Sequence, residues 1–353
     1  MGMERIKHTV RFLTPAFLGA AEQNMERIKH TVSFLTPAFL GDAEQNAVWR
    51  SPPFKAELRR WWRMAMIART GSLGELRSIE GCLFGDAAGA DGRRSAVRLR
   101  LHGQRAWKPG SLRTWPGVRS SQQGVAADLY LGYGPIQYSK RSRKPELDKE
   151  CAIDAREAVD LSLAWPTGTR GSEALLEALG LMHQFGTLGS RSRNGWGSYQ
   201  LDPVPACDLA AHAADWRDVI VNVSWPRHIG RDEKGLLIWR TAPCSDWKAV
   251  IGILGDVRKQ LCRESGALRP LMSSPVTGRS QPKWTDGARV PNTLRFKVIA
   301  NEQGQLVGQV THMPCRPADE LWNCLEGKAR RQFPGLWQSA HAQLDQTLHR
   351  VEP

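Results

Sequence analysis

The stretch FGTLGSRSRNGWGS, residues 185–198, decides how the rest of this 353-residue chain is read. Gly186, Gly189, Gly195 and Gly197 allow positive φ angles and close approach of the backbone to a neighbour. Between them, Arg191 and Arg193 present planar guanidinium groups suited to phosphate oxygens, and Asn194 adds an amide. Trp196 offers a face on which a base or ribose can stack. Amides freed by glycine also hydrogen-bond anions. The plain alternative is a flexible connector with solvated arginines. GxxxxGK[ST] is absent, so the stretch does not read as a nucleotide-binding P-loop.

The net charge of +14 favours the first reading, because such an excess attracts polyanions through counterion release. The basic residues sit beside Gly and Trp, not in a Lys-rich tail, which points to nucleic acid. No apolar run reaches the roughly 18–20 residues of a membrane span. The N-terminus shows no secretory pattern, so a cytoplasmic protein is expected. Seven cysteines, with wide spacings and no CxxC pair, read as reduced thiols and not as a disulfide scaffold or zinc site.

Around the loop the chain alternates strand and helix. Residues 3–24 recur at 25–46 with two changes, Arg11 to Ser33 and Ala20 to Asp42. Each copy holds one strand-like run closed by a Pro turn, and a sheet has one slot for it. The second copy, with Ile28 to Leu35, continues into the domain and is assigned the slot. The first (1–24) reads as a duplicated segment, either a cloning or start-site duplication or a mobile extension. Adding a strand to a neighbour's sheet edge is its functional alternative.

Ser51-Pro-Pro signals a helix start with Ser51 as cap. Phe54, Leu58, Trp61, Trp62, Ala65 and Met66 then form an apolar stripe. Lys55, Arg59 and Arg63 share another face, and with Arg60 they make a candidate phosphate track or a merely solvated face. Strands are expected at 96–101, 158–165 and 196–201, and a helix at 173–185. Residues 103–150 read as a long insertion, and 203–215 as a domain boundary. Beyond it come strands at 219–225, 293–300 and 305–312, the last two joined at Asn301–Gly304, and helices at 247–263 and 317–349, the latter broken at Pro334-Gly335. Both halves therefore read as strand, helix, two strands, helix: an α+β protein of two tandem ferredoxin-like (RRM-like) domains, at 25–204 and 215–353. No closing strand is visible in the second half.

Two further basic stretches, SKRSRKP at 139–145 (Lys140, Arg141, Arg143) and GRSQPKWTDGAR at 278–289 (Arg279, Lys283), are either phosphate contacts or solvated loops. The candidates for catalysis are His30, inside the first strand, and Asp42, in the loop after it. His183 reads as a capping or packing residue. HExxH, GxSxG and paired Cys/His patterns are absent.

Four runs taken together, FLTPAFLG (34–41), SPPFKAELRRWWR (51–63), FGD (84–86) and GSRSRNGWGS (189–198), resemble the RAMP superfamily of CRISPR proteins. The resemblance is to its end-capping subunit in type III-B (Cmr) effector complexes. Ala56 departs from the family's usual glycine, and the duplicated N-terminus is a second departure. The resemblance implies a non-catalytic subunit without cofactor or metal, its glycine-rich loop facing RNA. It also implies a place near the 3′ end of the guide RNA, beside other RAMP subunits, where target RNA is bound in antiviral defence. Target cleavage belongs to the family's backbone subunits, so no catalytic residue carries over. A RAMP endoribonuclease acting through His30 or Asp42 is the alternative.

Overall fold

The computed structural model describes residues 24–44, 46–87, 92–118, 124–273, 290–325 and 327–352. The first half runs β1 (Met25–Phe34), α1 (Ser51–Ile67), α2 (Leu73–Phe84), β2 (Arg98–His102), α3 (Ala127–Gly132), β3 (Ile136–Ser139), β4 (Lys144–Leu147), β5 (Ala158–Pro166), α4 (Leu175–Phe185) and β6 (Tyr199–Asp202). The second runs β7 (Ala213–Asp215), α5 (Trp216–Asn222), β8 (Ile229–Asp232), β9 (Gly235–Leu236), β10 (Ile238–Arg240), α6 (Trp247–Glu264) and α7 (Arg269–Met272). It continues with β11 (Leu294–Ala300), β12 (Leu306–His312), α8 (Asp319–Cys324), α9 (Gly327–Thr347) and β13 (His349–Arg350).

Strand β1 is the second copy of the repeat; the first copy lies outside the described residues. Its alternation sends His30, Val32 and Phe34 inward and Lys29, Thr31 and Ser33 outward. Helix α1 starts one residue earlier than its expected cap implies: Arg50 is the N-cap, Ser51 is already helical, and proline occupies the first turn. The predicted stripe from Phe54 to Met66 is buried. Each large side chain in it contributes roughly 1.5–3 kcal/mol.

The first four-stranded sheet has the order β2-β5-β1-β6 and the second β11-β12-β10-β13, with every described pairing antiparallel. Numbered within its own half, each order reads second, third, first, fourth. A helix follows the first strand and another the third. The second half's closing strand is the two-residue β13, which pairs Trp239 with Arg350 and Arg240 with His349. Two residues carry no visible alternation, which is why the sequence hides it.

Several expectations are corrected. Residues 219–225 are not a strand, since α5 covers most of them. Asp215 accepts from the Arg217 amide at 2.8 Å, and Trp216, Val219 and Ile220 bury a helical stripe. The β-branched run there imitates a strand, but capping and the i, i+3, i+4 burial prevail. Strand β6 starts at Tyr199, so Trp196 belongs to the loop. The C-terminal helix breaks between α8 and α9, and Pro334 lies inside α9. Within the 103–150 insertion, α3 packs on α6 so closely that a Cβ on Gly255 would stand 2.5 Å from the Ala127 Cβ. The carboxylate of Asp128 anchors this segment by accepting from Trp115 Nε1 at 2.8 Å and the Val118 amide at 3.0 Å.

Two cores result. One fills the space between the first sheet and α1, α2 and α4. The other joins the second sheet, α6 and α9 to residues of the first half: Phe39, Trp115, Ala127, Leu131, Ile136 and Trp196.

Candidate nucleic-acid interface

The glycine-rich loop is a tight double-backed segment, not a floppy connector. The Leu188 amide donates to the Gly197 carbonyl at 2.9 Å, Gly197 to Pro37 at 2.8 Å, and Ser190 to Phe39 at 2.9 Å. The FLTPAFLG run is therefore the loop's bed. Gly197 has φ +61°, and a Cβ there would overlap the Leu188 carbonyl oxygen, so only glycine fits. Gly189 and Gly195 also hold positive φ, at +98° and +93°.

The far side of the loop lies along β11, the edge strand of the second sheet. Asn194 bridges to Phe296 in parallel sense, the Phe296 amide donates to the Arg193 carbonyl at 2.9 Å, and the Val298 amide donates to Ser198 Oγ at 2.9 Å. The loop thus couples the two halves.

Trp196 corrects the sequence expectation. It is fully buried, with ring centroids 5.7 Å from Phe39, 5.4 Å from Trp115 and 6.0 Å from Trp247. Edge-to-face aromatic packing takes up the surface that a base would need. Arg191 and Arg193 do reach an open site. Arg191 is exposed and donates from Nε to the Tyr133 carbonyl at 2.7 Å. Arg193 is partly buried, and burial followed by the nearby Arg60 charge holds its guanidinium pKa below the ordinary value. Asn194 Nδ2 donates to the Leu131 carbonyl at 2.8 Å.

These residues form one wall of a cleft of about 640 Å³ whose other walls come from α3 and from the second half. Arg258 and Arg269 enter from α6 and α7, and Tyr130 and Tyr133 from α3 and the turn after it. Among the described residues, four arginines line the cleft and no carboxylate does. Arg269 Nη2 donates to Tyr130 Oη at 3.3 Å, and Arg258 Nη2 to Ser273 Oγ at 3.2 Å. Arg258 is 8% exposed, and its Nη1 has no partner among the described residues. A buried guanidinium with an unused donor beside three other arginines is a ready anion site. Arg258, Arg269 and the tyrosines were not singled out from sequence. Arg258 reads there as an ordinary cation on an amphipathic helix, and only tertiary packing turns it inward.

The basic face of α1 is divided. Glu80, 3% exposed on α2, takes both Arg59 and Arg63, with Arg63 at 2.7 and 2.6 Å. Burial alone would raise the Glu80 carboxyl pKa, but hydrogen bonds from Arg63 and Arg59 hold it below the usual value. Arg60 turns to Glu57 at 3.1 Å, which also accepts from Trp61 Nε1 at 2.7 Å. Lys55 is half-buried, and its ammonium pKa is lowered by burial and then by Arg59. Two unexpected cations from β11 approach the Glu57 side. Arg295 lies over the Trp61 ring at 5.1 Å, while Lys297 lies over Tyr199 at 4.8 Å and donates to the His183 carbonyl. Burial pushes Arg295 down to about 9 and Lys297 to about 7.

Lys140, Arg141 and Arg143 are exposed at the tip between β3 and β4, and Arg143 has φ +56°. Arg279 and Lys283 lie outside the described residues. His30 is buried, with Nδ1 2.8 Å from the Pro203 carbonyl oxygen and its pKa lowered chiefly by burial. Asp42 accepts from the Asn46 amide at 2.8 Å. His183 Nδ1 accepts from the Leu201 amide at 3.1 Å. Among the described residues no three His, Cys, Asp or Glu side chains converge as metal ligands, and no helix is long and apolar enough to cross a membrane.

No protein-family profile and no curated protein matches this chain. Among solved structures, it is similar to apo Cmr1 from Pyrococcus furiosus, at 15% identity over 89% of this chain and 96% of that one, with a TM-score of 0.46. A chain of the type III-B Cmr-beta complex bound to cognate target RNA matches at 11% identity over 88% of this chain and 99% of that one, with a TM-score of 0.48. A chain of a type IV-B CRISPR complex matches at 12% identity over 50% of this chain and 89% of that one, with a TM-score of 0.33.

Proposed function

We propose that the chain is a non-catalytic, cytoplasmic RNA-binding subunit of a type III CRISPR effector complex, built from two tandem ferredoxin-like units that meet near residues 203–215. The observation that carries the RNA-binding reading is the cleft that, among the described residues, four arginines and no carboxylate line, where the buried Arg258 keeps a donor unused. The shared strand order of the two sheets supports the tandem units. Arg191, Arg193 and Asn194 form the loop wall of the phosphate-binding site, with Gly189, Gly195 and Gly197 holding its backbone. Trp196 shapes the loop from beneath. Lys140, Arg141 and Arg143 extend the basic surface from the hairpin that springs from the same wall, and Arg279 and Lys283 are assigned to RNA as well. Arg59 and Arg63, tied to Glu80, position α1, and Lys55 and Arg60 flank them.

Guide and target RNA, with other RAMP subunits, are the partners, and the place is the cap near the guide RNA 3′ end; the four sequence motifs support this. The non-catalytic reading is supported by His30, which is buried with its Nδ1 against the Pro203 carbonyl oxygen and its pKa lowered chiefly by burial. The test is binding of single-stranded RNA by Arg191→Ala/Arg193→Ala. Affinity should fall and its dependence on salt should flatten. Unchanged affinity overturns the reading. Cleavage of a guide-repeat RNA that is abolished by His30→Ala or Asp42→Ala would establish the endoribonuclease alternative.

A further inference from the structure

The first sheet has one face against α1 and α4, and among the described residues the other is open. On the open face the pairing register sets three rows across β2, β5 and β1: Arg98–Ala164–Arg27, Arg100–Ser162–Lys29 and His102–Asp160–Thr31. Arg27, Lys29, Arg98 and Arg100 are exposed, and none makes an ion pair among the described residues. They line a trough of about 820 Å³. Its floor is small where the cations flank it, at Ala164 and Ser162. Its acidic end holds Asp160, which accepts from Thr31 at 3.1 Å.

Strand spacing puts the two cationic rails roughly 9.5 Å apart, and successive cations on one rail roughly 6.6 Å apart. A trough of that width admits one nucleic-acid strand between the rails. The outward positions of the three strands carry no Phe, Tyr or Trp, so there is no platform for stacking bases. Phosphate contacts without base contacts give affinity without sequence preference.

We infer that this open sheet face is a second RNA-binding surface, holding the phosphate backbone of a single strand through Arg27, Lys29, Arg98 and Arg100, independently of base identity. The inference rests on the reading of the chain as an RNA-binding protein.

The test uses the full chain and homopolymer RNAs of about 25 nucleotides, longer than the roughly 4–16 nucleotides of a single binding site. Lys29→Ala/Arg100→Ala removes one row. It should weaken binding of oligo-U and oligo-A equally, by about tenfold, and lower the slope of log K against log salt by about 1.4, the value for two phosphate contacts on a single strand. Lys29→Arg/Arg100→Lys should bind as the parent does, which separates charge from folding. If Lys29→Ala/Arg100→Ala keeps parental affinity and slope while Arg191→Ala/Arg193→Ala loses them, the sheet surface is overturned and the arginine cleft stands. The face would then be left to a protein strand or the first repeat copy. If neither double variant weakens binding, the RNA reading fails as well. A loss confined to one homopolymer overturns the backbone-only assignment.

Discussion

The backbone amide of Phe296 donates to the carbonyl of Arg193 at 2.9 Å, so the glycine-rich loop of the first half docks by one backbone bridge on the edge of the second sheet. An edge strand otherwise presents unpaired groups that invite association. Here the loop covers part of that edge and fixes which way the Arg193 side chain leaves the backbone. The arginine cleft therefore depends on both halves being docked.

Gly197 holds that clip. Replacing it with alanine should destabilise the protein by about 3 kcal/mol or more, because its positive φ and the Leu188 carbonyl oxygen leave no room for a Cβ. The urea midpoint of Gly197→Ala measures this. A shift within error of the parent would mean that the loop relaxes without loss.

Trp196→Ala should lose about 3–5 kcal/mol, as large buried aromatics do. Trp196→Phe should remain folded and keep parental RNA affinity, since the indole is fully buried. A folded Phe variant with weak RNA binding would restore a stacking role to this residue.

Removal of the Glu80 carboxylate should loosen α1 from α2. We expect Glu80→Gln to cost about 1.5–3 kcal/mol at neutral pH, the range for hydrogen bonds to charged groups. The pKa of this carboxyl is lower folded than its ordinary value of 4.5. Its stabilisation is therefore present above pH 4.5 and is lost as pH falls through the folded value. Acid unfolding of the Gln variant should show a shallower decline over that window.

Lys297 gives a pH dependence of the same sign at higher pH, but here folding disfavours the charged form. Its pKa falls from 10.5 to about 7 on folding, so between those values the unfolded chain binds more protons. Stability should then rise with pH from about 7 upward, by roughly 1 kcal/mol per unit. Lys297→Met should flatten this rise between about pH 7 and 8.5, below the range where Arg295 begins to contribute. Chemical denaturation across that range decides it, and an equally steep Met variant would place the titration elsewhere.

Much of the first sheet was legible in the sequence because its strands are long enough to alternate: β1 and β5 announce themselves through Val32, Phe34, Leu161 and Leu163. The apolar stripe of α1 was equally plain. In the second half, β10 and β13 have three and two residues, too few for periodicity, and α5 is written in strand-loving Val and Ile. The identities of β10 and β13 come from pairing partners more than 50 positions away in the chain.

By itself the sequence determined that this protein is basic and α+β, and that a glycine-rich loop with two arginines is its distinctive chemistry. Only the tertiary structure decided which cations are available to a ligand. Charge on a side chain is set by composition, but its availability depends on what packs against it. Glu80 comes from α2 to occupy Arg59 and Arg63, and Trp196 turns inward to join Phe39 and Trp115. Arg258 is carried by α6 into the cleft beside Arg191 and Arg193 with a donor left unused.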